Sequence, residues 1–277
     1  MKIMAATRHA LRTAILVLAC AGLCFAGDSA EKFQTLLRRT QDQMSAYVDR
    51  FSDVRCTEKV LQEKFKNTGK DKNRDKAKDK IDLKEESTFD YLVILSNTAG
   101  ELTLSESRLP VHDARPDKKN RSMLVSNGFA TLFLVFHPLY ANSFEFNDLG
   151  EEVVNGRLLT KMSFHHIRGQ RTPVALALRG REYPLELSGT AWVDAETAAI
   201  VRISAGIENT MADVGLNTLR TDIQFAPFPF SDLGKTYWFP MRAVVEVETP
   251  RQHWRNTHEF GNYKRFSVST EEQVANK

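Results

Sequence analysis

Cysteine is scarce: the 277-residue chain has three, and two of these, Cys20 and Cys24, stand within its first 26 residues. Cys56 is then the only one left in the body of the chain, so no intramolecular disulfide can hold it and the fold must rest on an apolar core. Cys56 itself reads as a half-buried strand residue rather than a nucleophile, the commoner role for a lone cysteine. Long apolar runs are also missing. The single candidate, Ala14 to Phe25, is about a dozen residues against the roughly 20 needed to span a bilayer. No strong excess of one charge exists either. The formal charge of +3 comes from 38 basic and 35 acidic residues, and without Lys2, Arg8 and Arg12 it falls to zero. An overall electrostatic attraction to nucleic acid is therefore not supported.

The motifs of several catalytic classes are absent as well. There is no GxSxG elbow for a serine nucleophile and no glycine-rich phosphate loop, since Gly150, Gly156, Gly169 and Gly180 stand apart at expected turns. His165 and His166 are adjacent in a strand-like stretch, so their rings point to opposite faces and cannot share a metal as neighbours. His112, His137, His253 and His258 are scattered outside any compact zinc spacing. The sequence therefore gives no ground for a catalytic site, a metal or a cofactor.

What is present begins with an export-signal layout over residues 1–26. Lys2, Arg8 and Arg12 lead into the apolar run, which ends at small residues around Ala26 and Gly27. This predicts a periplasmic or secreted product comprising residues 27–277 as one domain. A lipoprotein signal ending at Cys20 is the lesser reading, because Leu18 stands where a small residue is wanted.

Beyond the signal, Phe33, Leu36, Leu37, Met44, Tyr47, Val48 and Phe51 recur at three- and four-residue steps and predict an amphipathic helix over Ala30 to Phe51. Val54 to Phe65 alternates as a strand with one wet face. Residues 64–86 are dense in Lys, Asp and Glu and read as a charged insert. Its mixed signs favour a solvated loop over an arm that touches anionic lipid headgroups. Two strands follow, Thr88 to Leu95 and Glu101 to Ser107. Ser122 to Tyr140 then reads as a second, strongly apolar helix stopped by Pro138. From Ser143 onward the pattern is a series of strands: Ser143 to Asp148, Arg157 to Ile167, Val174 to Leu178, Leu185 to Asp194, Ala199 to Glu208, Asn217 to Phe225, Tyr237 to Glu248 and His253 to Val268. In the last of these, Trp254, Phe260 and Phe266 alternate toward a core while the basic residues between Arg251 and Arg265 stay wet. The whole predicts an α+β, mainly antiparallel β domain in which a curled sheet of about 8 to 11 strands wraps one or two helices.

Two stretches carry a resemblance. Gly189 to Arg202, GTAWVDAETAAIVR, forms a strand, a turn opened by Asp194 and a returning strand; Tyr237 to Val247, YWFPMRAVVEV, is a later apolar strand. Set in the order helix, strand, insert, strands, second helix, they resemble the bacterial lipoprotein-carrier (LolA/LolB-like) group over residues 30 to 268. The resemblance implies an unclosed β-barrel with helices as a lid, an apolar cavity for acyl chains and no catalysis. Phe129, Leu132, Phe133 and Phe136 on the second helix, with Trp192 and Trp238 on later strands, are the expected lining. Lipid or a lipidated protein is the implied partner, with peripheral membrane contact. The charged insert and the C-terminal segment RQHWRNTHEFGNYKRF depart from the carriers. They leave room for a cell-envelope interaction protein whose core is filled and whose partner is another envelope protein.

Overall fold

The computed structural model describes residues 29–52, 54–66, 81–98, 101–111, 132–178, 181–230 and 234–265. The predicted signal segment and Phe129 lie outside these, as do most of the charged insert, residues 112–131 and Phe266.

Helix α1 covers residues 29–52. Its buried stripe is the one the periodicity marks: Phe33, Leu36, Leu37, Met44, Val48 and Phe51. Thr40 sits on the same stripe, and its hydroxyl is satisfied by donating to the Leu36 carbonyl at 3.0 Å, one turn back.

Twelve strands follow: β1 Val54–Phe65, β2 Ile81–Thr98, β3 Glu101–Pro110, β4 Phe144–Val154, β5 Arg157–His166, β6 Ala175–Leu178, β7 Arg181–Pro184, β8 Leu187–Asp194, β9 Ile200–Ile207, β10 Thr218–Phe230, β11 Lys235–Glu248 and β12 His253–Arg265. Ten of them form one antiparallel sheet in the order β3-β2-β1-β12-β11-β10-β9-β8-β5-β4, and β6 with β7 makes a separate hairpin. Almost every neighbour in space is a neighbour in sequence. The exceptions are the β5–β8 pairing, which skips the β6–β7 hairpin, and the β1–β12 pairing, which brings the first and last strands side by side. The sheet remains unclosed, with β3 and β4 as its edges. The described part of the return segment leading into β4 is packed into the core, with Leu132, Phe133, Leu134, Val135 and Phe136 all buried.

Alternate residues of the strands meet α1 and this return segment. Met162 and Phe164 of β5, Ala191 and Val193 of β8, Ile203 of β9, Ile223 of β10 and Phe239 of β11 all belong to one core. Phe51 of α1 stacks on Phe239 with ring centroids 5.5 Å apart. Burying each such side chain favours the folded state by about 1.5 to 3 kcal/mol. Gly189 of β8 lets the layers approach closely: a Cβ built there would come within 2.6 Å of the Phe164 ring and collide with the Ser204 carbonyl.

Three expectations need correction. Residues 81 to 86 belong to β2 rather than to a charged loop. They pair with β1 in register, Glu63 opposite Lys84 and Gln62 opposite Glu85, so long polar side chains line an open stretch of sheet. The apolar stretch ending at Tyr140 is, among the described residues, not one helix. Phe133–Phe136 is a single 3-10 turn, and a separate one-turn helix α2 spans Pro138–Ala141. His137 between them is extended, with φ −69° and ψ 138°, because a residue before proline is pushed out of the helical region. Pro138 consequently starts a helix instead of stopping one. The third is β7 with Leu185, where the chain pairs back on β6 before the core strand begins at Leu187.

Candidate functional site

The sheet does not keep its layers closed throughout. Strand β10 pairs with β9 only over Arg220 to Gln224, and its pairing with β11 slips by one residue after Gln224. A slip of this kind bends a ribbon. The far end of the β10–β11 hairpin thus leaves the sheet and reaches the opposite side of the fold. Trp238 of β11 lies under the Arg157 guanidinium of β5 at 5.0 Å, and Tyr237 lies under that of Arg50 of α1 at 5.0 Å.

A second wall is the turn between β8 and β9. Asp194 opens it as the sequence requires: one carboxylate oxygen accepts from the Glu196 and Thr197 amides at 3.1 and 2.8 Å and from the Thr197 hydroxyl at 2.9 Å. The other oxygen accepts from Arg157 at 3.0 Å. Burial alone would raise the Asp194 pKa, but these bonds outweigh it and hold the carboxyl below its usual range. The turn fastens α1 in place, since Arg39 donates to the Glu196 carbonyl at 2.6 Å and Gln43 to the Thr197 carbonyl at 2.7 Å.

Between α1, this turn and the curled hairpin lies a cavity of about 330 Å³. Gln43, Met44, Tyr47 and Arg50 face it from α1, and Phe133 from the 3-10 turn. Ala199, Ile200 and Phe225 form its apolar side, and Tyr237, Trp238 and Phe239 close it from β11. Gln43, Tyr47 and Arg50 are spaced i, i+4, i+7 and so share one helix stripe, next to the packed one. The Tyr47 ring meets Phe133 edge-on at 4.6 Å, and its buried hydroxyl finds no hydrogen-bond partner among the described residues. Burial raises the Tyr47 pKa well above the ordinary phenol value, with the nearby Cys56 thiol adding to the shift.

Of the residues predicted to line a cavity, Phe133 and Trp238 do face this one. Leu132 and Phe136 are buried in the packed core beside it, where Phe136 contacts Phe146 and Phe164. Trp192 is not with them. It alternates with the core residues Ala191 and Val193, so it stands on the other face of β8, beneath the Arg202 guanidinium at 4.6 Å. Phe129 lies outside the described residues.

A second cluster escaped the sequence reading. Glu58 of β1 has no exposed side-chain surface and accepts from Arg108 of β3 at 2.6 and 3.0 Å; its carboxylate also meets Nδ1 of His258 of β12 at 2.7 Å. Arg108 donates further to Glu106 at 2.9 Å and lies over the Tyr91 ring at 5.2 Å. Burial would raise the Glu58 pKa, yet the bonds from His258 and Arg108 carry it below the ordinary value of 4.5. The signal for this site was period two: Cys56, Glu58 and Val60 share a face, as do Trp254, Asn256, His258 and Phe260. With its charges mutually paired, the cluster ties β1, β3 and β12 together.

Cys56 is buried in β1, and burial pushes its thiol up to about 12, with the neighbouring Tyr263 hydroxyl opposing the shift. His165 meets Glu208 at 3.0 Å, while His166, one residue on, contacts the Phe144 ring and the Arg171 carbonyl. Among the described residues no group of three or more His, Cys, Asp or Glu side chains is placed to hold a metal ion.

No protein-family model and no curated protein matches the chain. Similar solved structures include a DUF1329 family protein from Desulfovibrio piger, with a TM-score of 0.41 and 13% identity over 86% of this chain and 93% of that one. Another is a domain from Vibrio parahaemolyticus described as an outer membrane lipoprotein-sorting protein. It has a TM-score of 0.36 and 12% identity over 85% of this chain and 94% of the other.

Proposed function

We propose that this protein is an extracytoplasmic, non-catalytic binding protein that shelters an acyl chain, free or attached to a larger partner, in the cavity beside α1. The observation that carries the reading is the aromatic-walled space of about 330 Å³ beside α1. Ligand pockets begin at about 300 Å³ and are lined mostly by apolar and aromatic groups with a few polar ones. The export-signal layout of residues 1–26 supports a place outside the cytoplasm.

The space also limits the cargo. If a methylene needs the ~30 Å³ that a water molecule occupies in the liquid, the cavity accommodates roughly one chain of a dozen carbons and not several chains at once. The test is purification of the exported protein under mild conditions, organic extraction and mass spectrometry. Stoichiometric acyl ligand supports the reading. A ligand-free protein that also fails to take up fatty-acyl probes rejects it, and leaves an envelope protein that works through its surface.

A further inference from the structure

The lining of the cavity is apolar on the sheet side and polar along one stripe of α1, and that asymmetry specifies one end of the guest. Arg50 stands at the mouth. It is exposed, and its guanidinium rests on the Tyr237 ring at 5.0 Å, with no carboxylate among the described residues paired to it. Arg157 differs: it rests on Trp238 but is neutralised by Asp194 at 3.0 Å. One guanidinium is thus held in position by an aromatic face while its hydrogen-bonding edge meets no carboxylate among the described residues. Arginine in that state is suited to bind a carboxylate or phosphate through two parallel bonds.

Tyr47 provides the second, independent observation. It lines the same cavity one helical turn before Arg50, and its buried hydroxyl has no hydrogen-bond partner among the described residues. An unpaired buried phenol costs stability, and a polar group of a guest placed there would offset that cost.

We infer that the guest is a single-chain anionic amphiphile, with its chain against the aromatic wall and its anionic head against Arg50. This rests on the acyl-chain reading and adds the sign of the head. Neutral lipids lack the partner that Arg50 offers, and cationic ones meet an aromatic face already covered by a guanidinium.

The test uses four probes with one twelve-carbon chain, namely dodecanoate, dodecyl phosphate, dodecanol and dodecyltrimethylammonium, titrated calorimetrically into the ligand-stripped protein. The two anions should bind roughly five-fold or more tighter than the alcohol, and the preference should shrink as salt is raised. Arg50→Gln should erase it while leaving dodecanol affinity unchanged. Tyr47→Phe should weaken anion binding yet leave the empty protein at least as stable, a pair of signs that a purely structural role does not produce. A tighter carboxylate points to a free fatty acid, and a tighter phosphate to a phospholipid head; either order supports the inference. Equal binding of alcohol and anions, or a preference that survives in Arg50→Gln, overturns it and leaves the acyl reading intact. Failure of all four probes to bind overturns both.

Discussion

Glu58 is the residue whose loss should be felt most. Its carboxylate is fully buried and serves Arg108 and His258, whose side chains are 14% and 2% exposed. The Glu58→Ala variant removes the acceptor that the two share and leaves the permanently charged guanidinium to face burial without it. Removing one partner from a buried ion pair costs about 3 to 5 kcal/mol. A chain of this size melts roughly 2 to 4 °C lower for each kcal/mol lost, so Glu58→Ala should unfold some 6 to 20 °C earlier. Urea titration and a thermal melt followed by circular dichroism measure both. Glu58→Gln keeps one carbonyl acceptor and should lose less. Because the folded pKa of Glu58 is lowered, its stabilisation is fully present above the ordinary value of 4.5 and is lost as pH falls from there through the lower folded value. The wild-type minus Glu58→Gln difference should therefore begin to shrink below the ordinary value and be gone once pH is below the folded one. A Glu58→Ala loss of less than about 1 kcal/mol, the range of an exposed pair, would refute the buried-network argument.

Gly189→Ala should destabilise by about 1 to 3 kcal/mol or prevent folding, since the added methyl meets the Phe164 ring and backbone on β9; a chemical melt checks it. Cys56, buried with its thiol pushed up to about 12, should resist aromatic disulfide reagents at pH 8 and react at once when urea unfolds the protein. Asp194→Ala removes the acceptor of the β8–β9 turn and should cost about 1.5 to 3 kcal/mol. Because the Asp194 pKa is also lowered, this difference should vanish as the wild type is acidified below the ordinary carboxylate range.

Much of the fold was legible because period alone defined it. Helix α1 and strand β1 fall where Phe33 to Phe51 and Val54 to Phe65 place them, and Asp194 opens its turn through the bonds its carboxylate was expected to accept. The predicted α+β class, with an unclosed, mainly antiparallel sheet, is the one observed. What failed was local and physical. Lys84, Glu85 and Glu86 look like loop, but pairing with β1 satisfies their backbone whatever their side chains carry. His137 breaks the apolar run because Pro138 constrains it, not because hydrophobicity fades.

The cavity was harder to read. Phe133 and Trp238 were within reach as large apolar residues, whereas Tyr47 and Arg50 were not, since a polar helix stripe looks like a wet one until another element covers it. The covering element is the bent end of the β10–β11 hairpin, produced by a one-residue slip after Gln224 that no periodicity announces. Glu58 was visible in principle. Its alternation with Cys56 and Val60 put it inside, and only its charge argued for the surface.

The central claim is that an acyl chain enters the space beside Trp238, and quenching of tryptophan fluorescence by a fatty acid brominated along its chain tests it most directly. Trp238 lines the cavity, whereas Trp192 faces away from the core on β8 and Trp254 lies on β12. Saturable quenching that is lost in Trp238→Phe is the predicted result. Unchanged emission on titration, or quenching that persists without Trp238, would contradict the account.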